Sequence, residues 1–274
     1  MFGKWFMYGA AALVLGCGAL TVRAEAPQPT AAQVAQWRAA AEKGDAEAQY
    51  NLAQCYREGE GVVKDLEKAV YWYRKAAEQG HAMAQCALGN CYYFGRGLPK
   101  DPKQAVYWYK KAAEQGYAKA QYNLGVCYDN GWGVPEDPGR AVYWYRKAAE
   151  QGHAKAQYNL GVCYERGRGV PKDLQQAVFW YRKAAEQGDA MAQLKLGACY
   201  ENGRGVPKDL EKAVKWFRKA AEQGDAMAQF NLGWFYENGW GGLPKDLEQA
   251  VYWYRKAAEQ GFEPAKQALK ELGY

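Results

Sequence analysis

Seven cysteines are the side chains of this sequence with the most distinctive chemistry, since thiols can form disulfides, bind metals or act as nucleophiles. Their spacing narrows these options. Five of them recur at intervals of 36 residues: Cys55, Cys91, Cys127, Cys163 and Cys199. One cysteine every 36 residues gives no ligand spacing for a metal site. The interval points instead to a repeated structural unit.

Disulfides between equivalent cysteines of neighbouring units are disfavoured by distance. Packed helices lie about 8–10 Å apart, whereas a disulfide needs Cα atoms within about 7 Å of each other. Cys86 and Cys91 lie five residues apart on one predicted helix and face different ways. We therefore predict that the repeat cysteines are reduced thiols buried in the protein core.

Other catalytic side chains are scarce. The sequence contains no serine, which excludes serine nucleophile chemistry. It contains two histidines, His81 and His153, at the same point of two repeats, and neither has the neighbours of a catalytic triad or a zinc site. The sequence therefore predicts no catalytic residue, no metal site and no cofactor.

The elements that position these residues repeat along most of the chain. Self-alignment gives six units, at 46–81, 82–117, 118–153, 154–189, 190–225 and 226–262, and the last unit is one residue longer than the others. A fixed period in this range is typical of a solenoid of helical hairpins. Each unit has a first helix, called helix A, such as AKAQYNLGVCYERG, and a second helix, called helix B. With one further helix at each end, we expect 14 helices in the mature chain.

The ends of helix B carry recognisable capping residues. The helix ends at the dipeptide Gln-Gly, where glycine suits a left-handed backbone. It begins at an aspartate that can accept hydrogen bonds from the first turn. These aspartates are Asp65, Asp101, Asp137, Asp173, Asp209 and Asp246.

Helix B also carries an aromatic triplet, as in AVYWYRKAAEQG at 141–152. With a turn of about 100° per residue, Trp144 and Tyr145 fall on the same stripe as Ala141, while Tyr143 points away beside Arg146. The Trp144 position is tryptophan in all six units, but the Tyr143 position becomes Lys215 in the fifth. We therefore predict that the tryptophan and the aromatic residue directly after it are core. The residue directly before the tryptophan and the Arg-Lys pair are predicted to face solvent.

The unit AQYNLGVCYERGRGVPKDLQQAVFWYRKAAEQGDA closely resembles the Sel-like repeat (SLR) family, a relative of the tetratricopeptide repeats. The resemblance covers 46–262. It implies an all-α fold, namely a right-handed superhelical solenoid of about six 36-residue helix-turn-helix repeats with capping helices at both ends. Some secreted relatives have two cysteines per repeat that staple its helices. This sequence has one, so the staple is not carried over.

The resemblance also implies a binding face. Family members are mostly scaffolds and adaptors for protein partners, and helix A lines the concave side, where asparagine can pair with both polar groups of a peptide backbone. The predicted groove residues are Asn51, Lys119, Tyr122, Asn123, Lys155, Tyr158, Asn159, Lys195, Phe230, Asn231 and Trp234, with Trp132 and Trp240 on the rim. The alternative is that the tyrosine row packs helix A on its neighbour and the asparagines satisfy local polar groups.

The sequence divides into residues 1–24 as a signal peptide, 25–45 as a linker and N-terminal capping helix, 46–262 as the repeats, and 263–274 as a C-terminal capping helix. The first segment has a basic start, an apolar run and small residues before Glu25, which predicts cleavage after Ala24. The string LVLGC also resembles a lipoprotein signal with Cys17 as the lipidated residue, and an uncleaved anchor is a third option. All three place the repeats outside the cytoplasm.

Charge and composition limit the classes of molecule that could be the binding partner. The net charge of +6 is small and interspersed, so no nucleic-acid partner is predicted. We expect a periplasmic or secreted scaffold that binds a protein or an extended peptide segment in envelope assembly, signalling or host contact, and that meets a membrane only through its N-terminal segment. The alternatives are a binder of cell-wall glycan, for which aromatic rows are suited, and a β-lactam-binding or hydrolysing activity described for some cysteine-rich relatives. The lack of serine and of metal ligands argues against hydrolysis.

Overall fold

The structure, a computed structural model, describes residues 28–274; the predicted signal peptide, including Cys17, lies outside the described residues. The described part of the chain forms 14 α-helices and no strand, as predicted. The helices are α1 Ala31–Glu42, α2 Ala46–Glu58, α3 Leu66–Glu78, α4 Ala82–Phe94, α5 Pro102–Glu114, α6 Ala118–Asn130, α7 Pro138–Glu150, α8 Ala154–Arg166, α9 Leu174–Glu186, α10 Ala190–Asn202, α11 Leu210–Glu222, α12 Ala226–Asn238, α13 Leu247–Glu259 and α14 Glu263–Glu271. None of these helices is long and apolar enough to cross a membrane.

Each helix packs mainly on the helices that precede and follow it in the chain, which makes an all-α solenoid. The even-numbered helices α2 to α12 are the A helices of the six units, and the odd-numbered helices α3 to α13 are the B helices. The core is a series of clusters, each of which joins two neighbouring units. In one of them Tyr145 of unit three packs with Leu160, Cys163 and Trp180 of unit four.

The predicted capping residues are in place. The side chain of each aspartate that precedes a B helix accepts a backbone N–H from the first turn, as Asp209 does from Lys212 at 2.9 Å. The glycine of the Gln-Gly dipeptide after each B helix is in the left-handed region, for example Gly152 with φ 88°. Each A helix of the six units also ends at such a glycine, for example Gly167 with φ 71°. Both devices satisfy backbone groups that a helix end leaves unpaired.

A glycine lets the two helices of a unit approach closely. A Cβ atom added to Gly161 would lie 2.6 Å from the ring of Tyr181, which is fully buried. Units two to six all have a glycine here, and each one faces the aromatic residue directly after the tryptophan of the B helix. These glycines are Gly89, Gly125, Gly161, Gly197 and Gly233. The glycine therefore makes room for an aromatic ring.

The aromatic triplet divides nearly as predicted. Tyr145 is 1% exposed and Tyr143 is 52% exposed. The tryptophans are less buried than predicted, because only Trp108 and Trp180 are core, whereas Trp72, Trp144, Trp216 and Trp253 are half-buried. Trp108, Trp144, Trp180 and Trp253 each pack against the cluster of the preceding helix pair. A large indole at the edge of a cluster often stays in part at the surface.

A row of buried glutamines joins neighbouring units, which was not predicted from the sequence. The side-chain amide of Gln157 donates to the carbonyl of Ala149 at 3.0 Å and accepts from Gln187 at 2.7 Å. The same buried position is occupied by Gln49, Gln85, Gln121, Gln157, Gln193 and Gln229. Each one satisfies a carbonyl at the end of the preceding odd-numbered helix.

The Arg-Lys pair is exposed but has partners. Arg146 donates to the hydroxyl of Tyr164 in the next unit at 3.0 Å. Lys147 lies over the ring of Tyr143, 5.2 Å from its centroid. The pair was predicted to be only solvated, whereas the arginine links two units and the lysine covers an exposed aromatic ring of its own helix.

Candidate partner-binding face

The cysteines and histidines serve the fold. The six described cysteines are free and buried, and burial raises the pKa of Cys127 and Cys163 to about 12. Their thiols therefore stay protonated near neutral pH, which is the form that neither attacks substrates nor binds metals. No group of three histidine, cysteine or acidic side chains within residues 28–274 could hold a metal ion.

Both histidines are N-caps of A helices. The Nδ1 atom of His153 accepts the backbone N–H of Ala156 at 3.2 Å, and His81 accepts that of Ala84 at 3.1 Å. Burial, together with Lys119 and Lys155, lowers the pKa of His153 to about 4. A neutral imidazole is the form that can accept at Nδ1, so the cap and the pKa agree.

We call the outward positions of the six A helices, together with the loop residues that follow them, the A face. Its first row is Tyr50, Cys86, Tyr122, Tyr158, Leu194 and Phe230. The rings of this row pack within the solenoid: Tyr122 stacks on His153 at 4.8 Å, and Phe230 lies 5.4 Å from Tyr254. Such contacts are those expected if the row packs helix A on its neighbour. The rings remain half-buried rather than buried, and their role in binding stays a prediction.

The second row is Asn51, Ala87, Asn123, Asn159, Lys195 and Asn231, and its polar members are half-buried. Asn123 donates to the side-chain oxygen of Asn90 at 3.2 Å. Lys195 forms an ion pair with Glu165 at 3.2 Å. Asn159 lies close to the hydroxyls of Tyr122 and Tyr145. The predicted groove residues of this row are thus in part occupied by contacts between units.

The remaining predicted residues differ in exposure. Lys119 and Lys155 are exposed at the start of their helices. Trp132, predicted to lie on the rim, is half-buried and packs on Tyr93 with 5.5 Å between ring centroids. Trp240 is 42% exposed and stands at right angles to Trp234, 4.5 Å away. Of the two rim tryptophans, Trp240 offers the more open surface.

Two repeat positions were not predicted from the sequence as partners; they meet across the junctions between units two and three, three and four, and four and five, and are here called the junction ladder. One side of the ladder is a helix position: Arg57, Tyr93, Asp129, Glu165, Glu201 and Glu237. The other side is a loop position of the following unit: Arg96, Trp132, Arg168, Arg204 and Trp240. Self-alignment of these two positions is the signal that could have revealed it.

In the middle of the solenoid the ladder consists of ion pairs. Arg168 reaches Asp129 with 2.9 Å between Nε and Oδ1, and Arg204 lies 3.8 Å from Glu165. The hydroxyl of Tyr181 also donates to Glu165 at 2.7 Å. Burial opposes ionisation of Glu165, but the charge of Lys195 and these neighbours outweigh it and lower the pKa of the carboxyl.

Comparison with known proteins agrees with this architecture. The Sel1 repeat family model matches residues 46–81, 82–117, 118–153, 154–189, 190–225 and 226–262. A comparison with curated proteins found no match.

Two solved structures are similar to the chain. A Sel1 repeat protein from Oxalobacter formigenes is 40% identical, with 86% of this chain and 68% of that chain covered and a TM-score of 0.78. A protective antigen present in uropathogenic Escherichia coli strains, which has an SLR fold, is 39% identical, with 87% of this chain and 59% of that chain covered and a TM-score of 0.61. With six matched repeats and these relatives, the chain belongs to the Sel1 repeat family, a family of scaffolds that generally act in protein–protein interaction.

Proposed function

We propose that this protein is a periplasmic or secreted scaffold that binds an extended segment of a protein partner along its A face, in envelope assembly, signalling or host contact. The N-terminal segment would direct export, either by cleavage after Ala24 or by lipidation at Cys17. The protein partner would be contacted by side chains of the repeats and not by the N-terminal segment.

The observation that carries the proposal is the contrast between constant and variable positions. The buried glutamine, the fully buried leucine of each A helix and the capping aspartate are the same in all six units. The partly exposed A-face positions differ between units, with amides, lysines and tryptophans at equivalent places. Positions that build the repeat are constant, whereas variation at the partly exposed A-face positions lets each unit present a different side chain to an irregular partner.

Site-specific crosslinking tests the proposal. A photoreactive amino acid at Lys155 would lie on the A face, and the same residue at Lys183 would lie on the exposed side of a B helix as a matched control. In the native cell envelope, we expect Lys155 to crosslink one discrete protein and Lys183 to crosslink none. Equal crosslinking from both positions, or none from Lys155, would contradict the proposal.

The location is tested separately. Cell fractionation combined with mass determination of the mature N-terminus should find the repeats outside the cytoplasm, starting at Glu25 after simple cleavage or at a lipid-modified Cys17. A Cys17→Ala variant should then distinguish the two forms, because it prevents only the second. A full-length chain in the cytoplasm would contradict the proposed location.

A second candidate, binding of cell-wall glycan, is favoured by one observation. The B helices expose a row of rings: Tyr71, Tyr107, Tyr143, Phe179 and Tyr252. Repeating aromatic faces can stack on sugars. Pulldown on purified sacculi tests this, and a Tyr107→Ala, Tyr143→Ala variant should lose retention if the row binds glycan.

A further inference from the structure

The junction between units five and six departs from the junction ladder. In the two junctions before it, the carboxylate has two partners, a tyrosine hydroxyl of its own unit and an arginine of the next loop. Glu201 has neither. Phe217 stands where the other units have the tyrosine, and Trp240 stands where the preceding units have Arg168 and Arg204.

Because Phe217 and Trp240 replace the tyrosine and the arginine, the charge of Glu201 has few stabilising partners nearby. The described residues offer its half-buried carboxylate one hydrogen bond, from the amide of the adjacent Asn202 at 3.4 Å. Lys208 is a nearby cation, although it forms no ion pair with Glu201 within 4 Å. Burial raises the pKa of the Glu201 carboxyl. A half-buried carboxylate is stabilised by a cation, and the ladder supplies one at the preceding junctions.

The side chain of Trp240 starts from the same backbone position as those of the ladder arginines, although this unit has one additional residue. Its N–H donates to the carbonyl of Phe235 at 3.0 Å, as that of Arg204 donates to Cys199 at 2.9 Å. The additional residue follows Trp240 in the loop. The junction between units two and three also has a tryptophan at the loop position of the ladder, and this Trp132 packs on the ring of Tyr93. By the register of the repeat, in which Arg204 lies beside Glu165, the ladder pairs an indole position with a carboxylate position only between units five and six of the described repeats.

The indoles add a second attraction for a cation. Trp234 and Trp240 stand at right angles, and Trp240 is 42% exposed. Elsewhere the protein covers exposed rings with its own lysines, such as Lys183 over Phe179 at 5.1 Å. A guanidinium or ammonium group between an indole and a carboxylate combines a cation–π contact with a charge-assisted hydrogen bond.

We propose that the junction of Glu201, Trp234 and Trp240 binds an arginine or lysine side chain of a partner segment lying along the A face. The inference rests on the proposed function and specifies the chemistry of the partner: a basic residue must lie at the end of the segment nearest units five and six. The incoming cation supplies Glu201 with the charge that a ladder arginine supplies to the carboxylate at the two preceding junctions.

A single amino-acid probe tests the site without knowledge of the partner. Nα-acetyl-arginine amide is titrated into the mature protein at constant ionic strength, with Nα-acetyl-citrulline amide as the neutral analogue of the same shape. The indole N–H resonances of Trp234 and Trp240 are followed by NMR. We expect saturable shifts with the arginine probe and none with the citrulline probe, and Glu201→Gln should weaken binding about tenfold or more.

The chain itself offers repair variants. Trp240→Arg restores the ladder arginine and Phe217→Tyr restores the hydroxyl donor, so both should weaken the probe while the protein stays folded. Glu186→Gln removes the same charge from an exposed position on a B helix and should leave the affinity unchanged. Equal shifts with both probes, no shift with either, or equal affinity for wild type and Glu201→Gln would overturn the inference.

Failure of this inference is distinguishable from failure of the proposed function. If crosslinking from Lys155 captures a partner but the arginine probe does not bind, the scaffold proposal stands and the cation site is wrong. If the probe binds as expected but Lys155 captures no protein, the cation site stands and the proposed partner face is wrong.

Discussion

At the scale of single residues, Gly161 shows how tightly the two helices of a unit are packed. An alanine Cβ would lie 2.6 Å from the buried ring of Tyr181 and 3.2 Å from the carbonyl of Ala177. Overpacking of this kind costs about 1–3 kcal/mol, and alanine recovers about 1 kcal/mol of that through its higher helix propensity. Because unit one already has Ala53 at this position, we expect Gly161→Ala to lower the free energy of unfolding by an amount near the lower end of the range.

Urea unfolding followed by circular dichroism measures this change. Gly139→Ala is the matched control, because a Cβ there meets only a carboxylate oxygen of Asp137 at 3.4 Å. The control should be as stable as wild type or slightly more stable. Equal stability of the two variants would mean that the glycine row does not set the distance between the helices.

The cysteines predict a response to alkaline pH. Burial raises the pKa of Cys163 to about 12 from an ordinary value of 9.0. The unfolded chain therefore loses this proton first, so the contribution of the thiol to stability is complete below about pH 9 and is lost as pH rises toward 12. The half-buried Tyr158, whose pKa is also raised to about 12 by desolvation, acts in the same direction.

Two measurements check this prediction. The urea midpoint should fall steadily above about pH 9, and a thiol reagent near neutral pH should label the described cysteines only after unfolding. Rapid labelling of most cysteines in the native mature protein would contradict both the burial and the raised pKa values.

At the scale of helices, the glutamine row is the strongest polar link between units. Gln157→Ala leaves the carbonyl of Ala149 and the amide of Gln187 without their partner. The buried carbonyl left unpaired costs about 1–3 kcal/mol and the lost bond to the exposed Gln187 about 1 kcal/mol, so we expect a loss of about 2–4 kcal/mol. Gln187→Ala, the control, removes a bond at the exposed end of the B helix and should cost about 1 kcal/mol. Equal losses in thermal unfolding would show that the inner bond to Ala149 contributes little.

The helices were predictable from the sequence because their signals are local. The capping Asp209, the left-handed Gly167 and the spacing of Ala141, Trp144 and Tyr145 each lie within a few residues of the element that they define. The links between units were not predictable in this way. Arg168 of unit four and Asp129 of unit three are 39 residues apart in the chain, and a pairing at that separation depends on how one unit stacks on the next.

The candidate site was predictable only in part, for a related reason. Comparison of equivalent positions selected Trp234 and Trp240 as A-face residues, and Trp240 is exposed. It did not select Glu201, because the significance of that residue depends on a loop of the next unit that brings an arginine to the two earlier carboxylates. The half-burial of Trp144 escaped prediction likewise, since the cluster on which it packs includes α5 of the preceding unit.

At the scale of the whole molecule, the 36-residue period predicts that one repeat can be removed. Deletion of residues 154–189 joins unit three to unit five and keeps the partners of each link. Asp129 then faces Arg204, Arg146 faces Tyr200, and Gln193 faces the carbonyl of Ala149. Because a solenoid is stabilised by nearest-neighbour contacts, we expect a folded chain with the same helicity per residue, one cooperative transition and a lower Tm.

The control is deletion of residues 160–189, which removes the same junction but breaks the period. It should lose helicity and cooperativity, because α8 then continues out of register into α10. The deletion of 154–189 leaves Glu201, Phe217 and Trp240 in adjacent units, so it should also retain the affinity of wild type for Nα-acetyl-arginine amide. If the in-register deletion unfolded as completely as the control, contacts beyond neighbouring units would be needed to explain the stability of the solenoid.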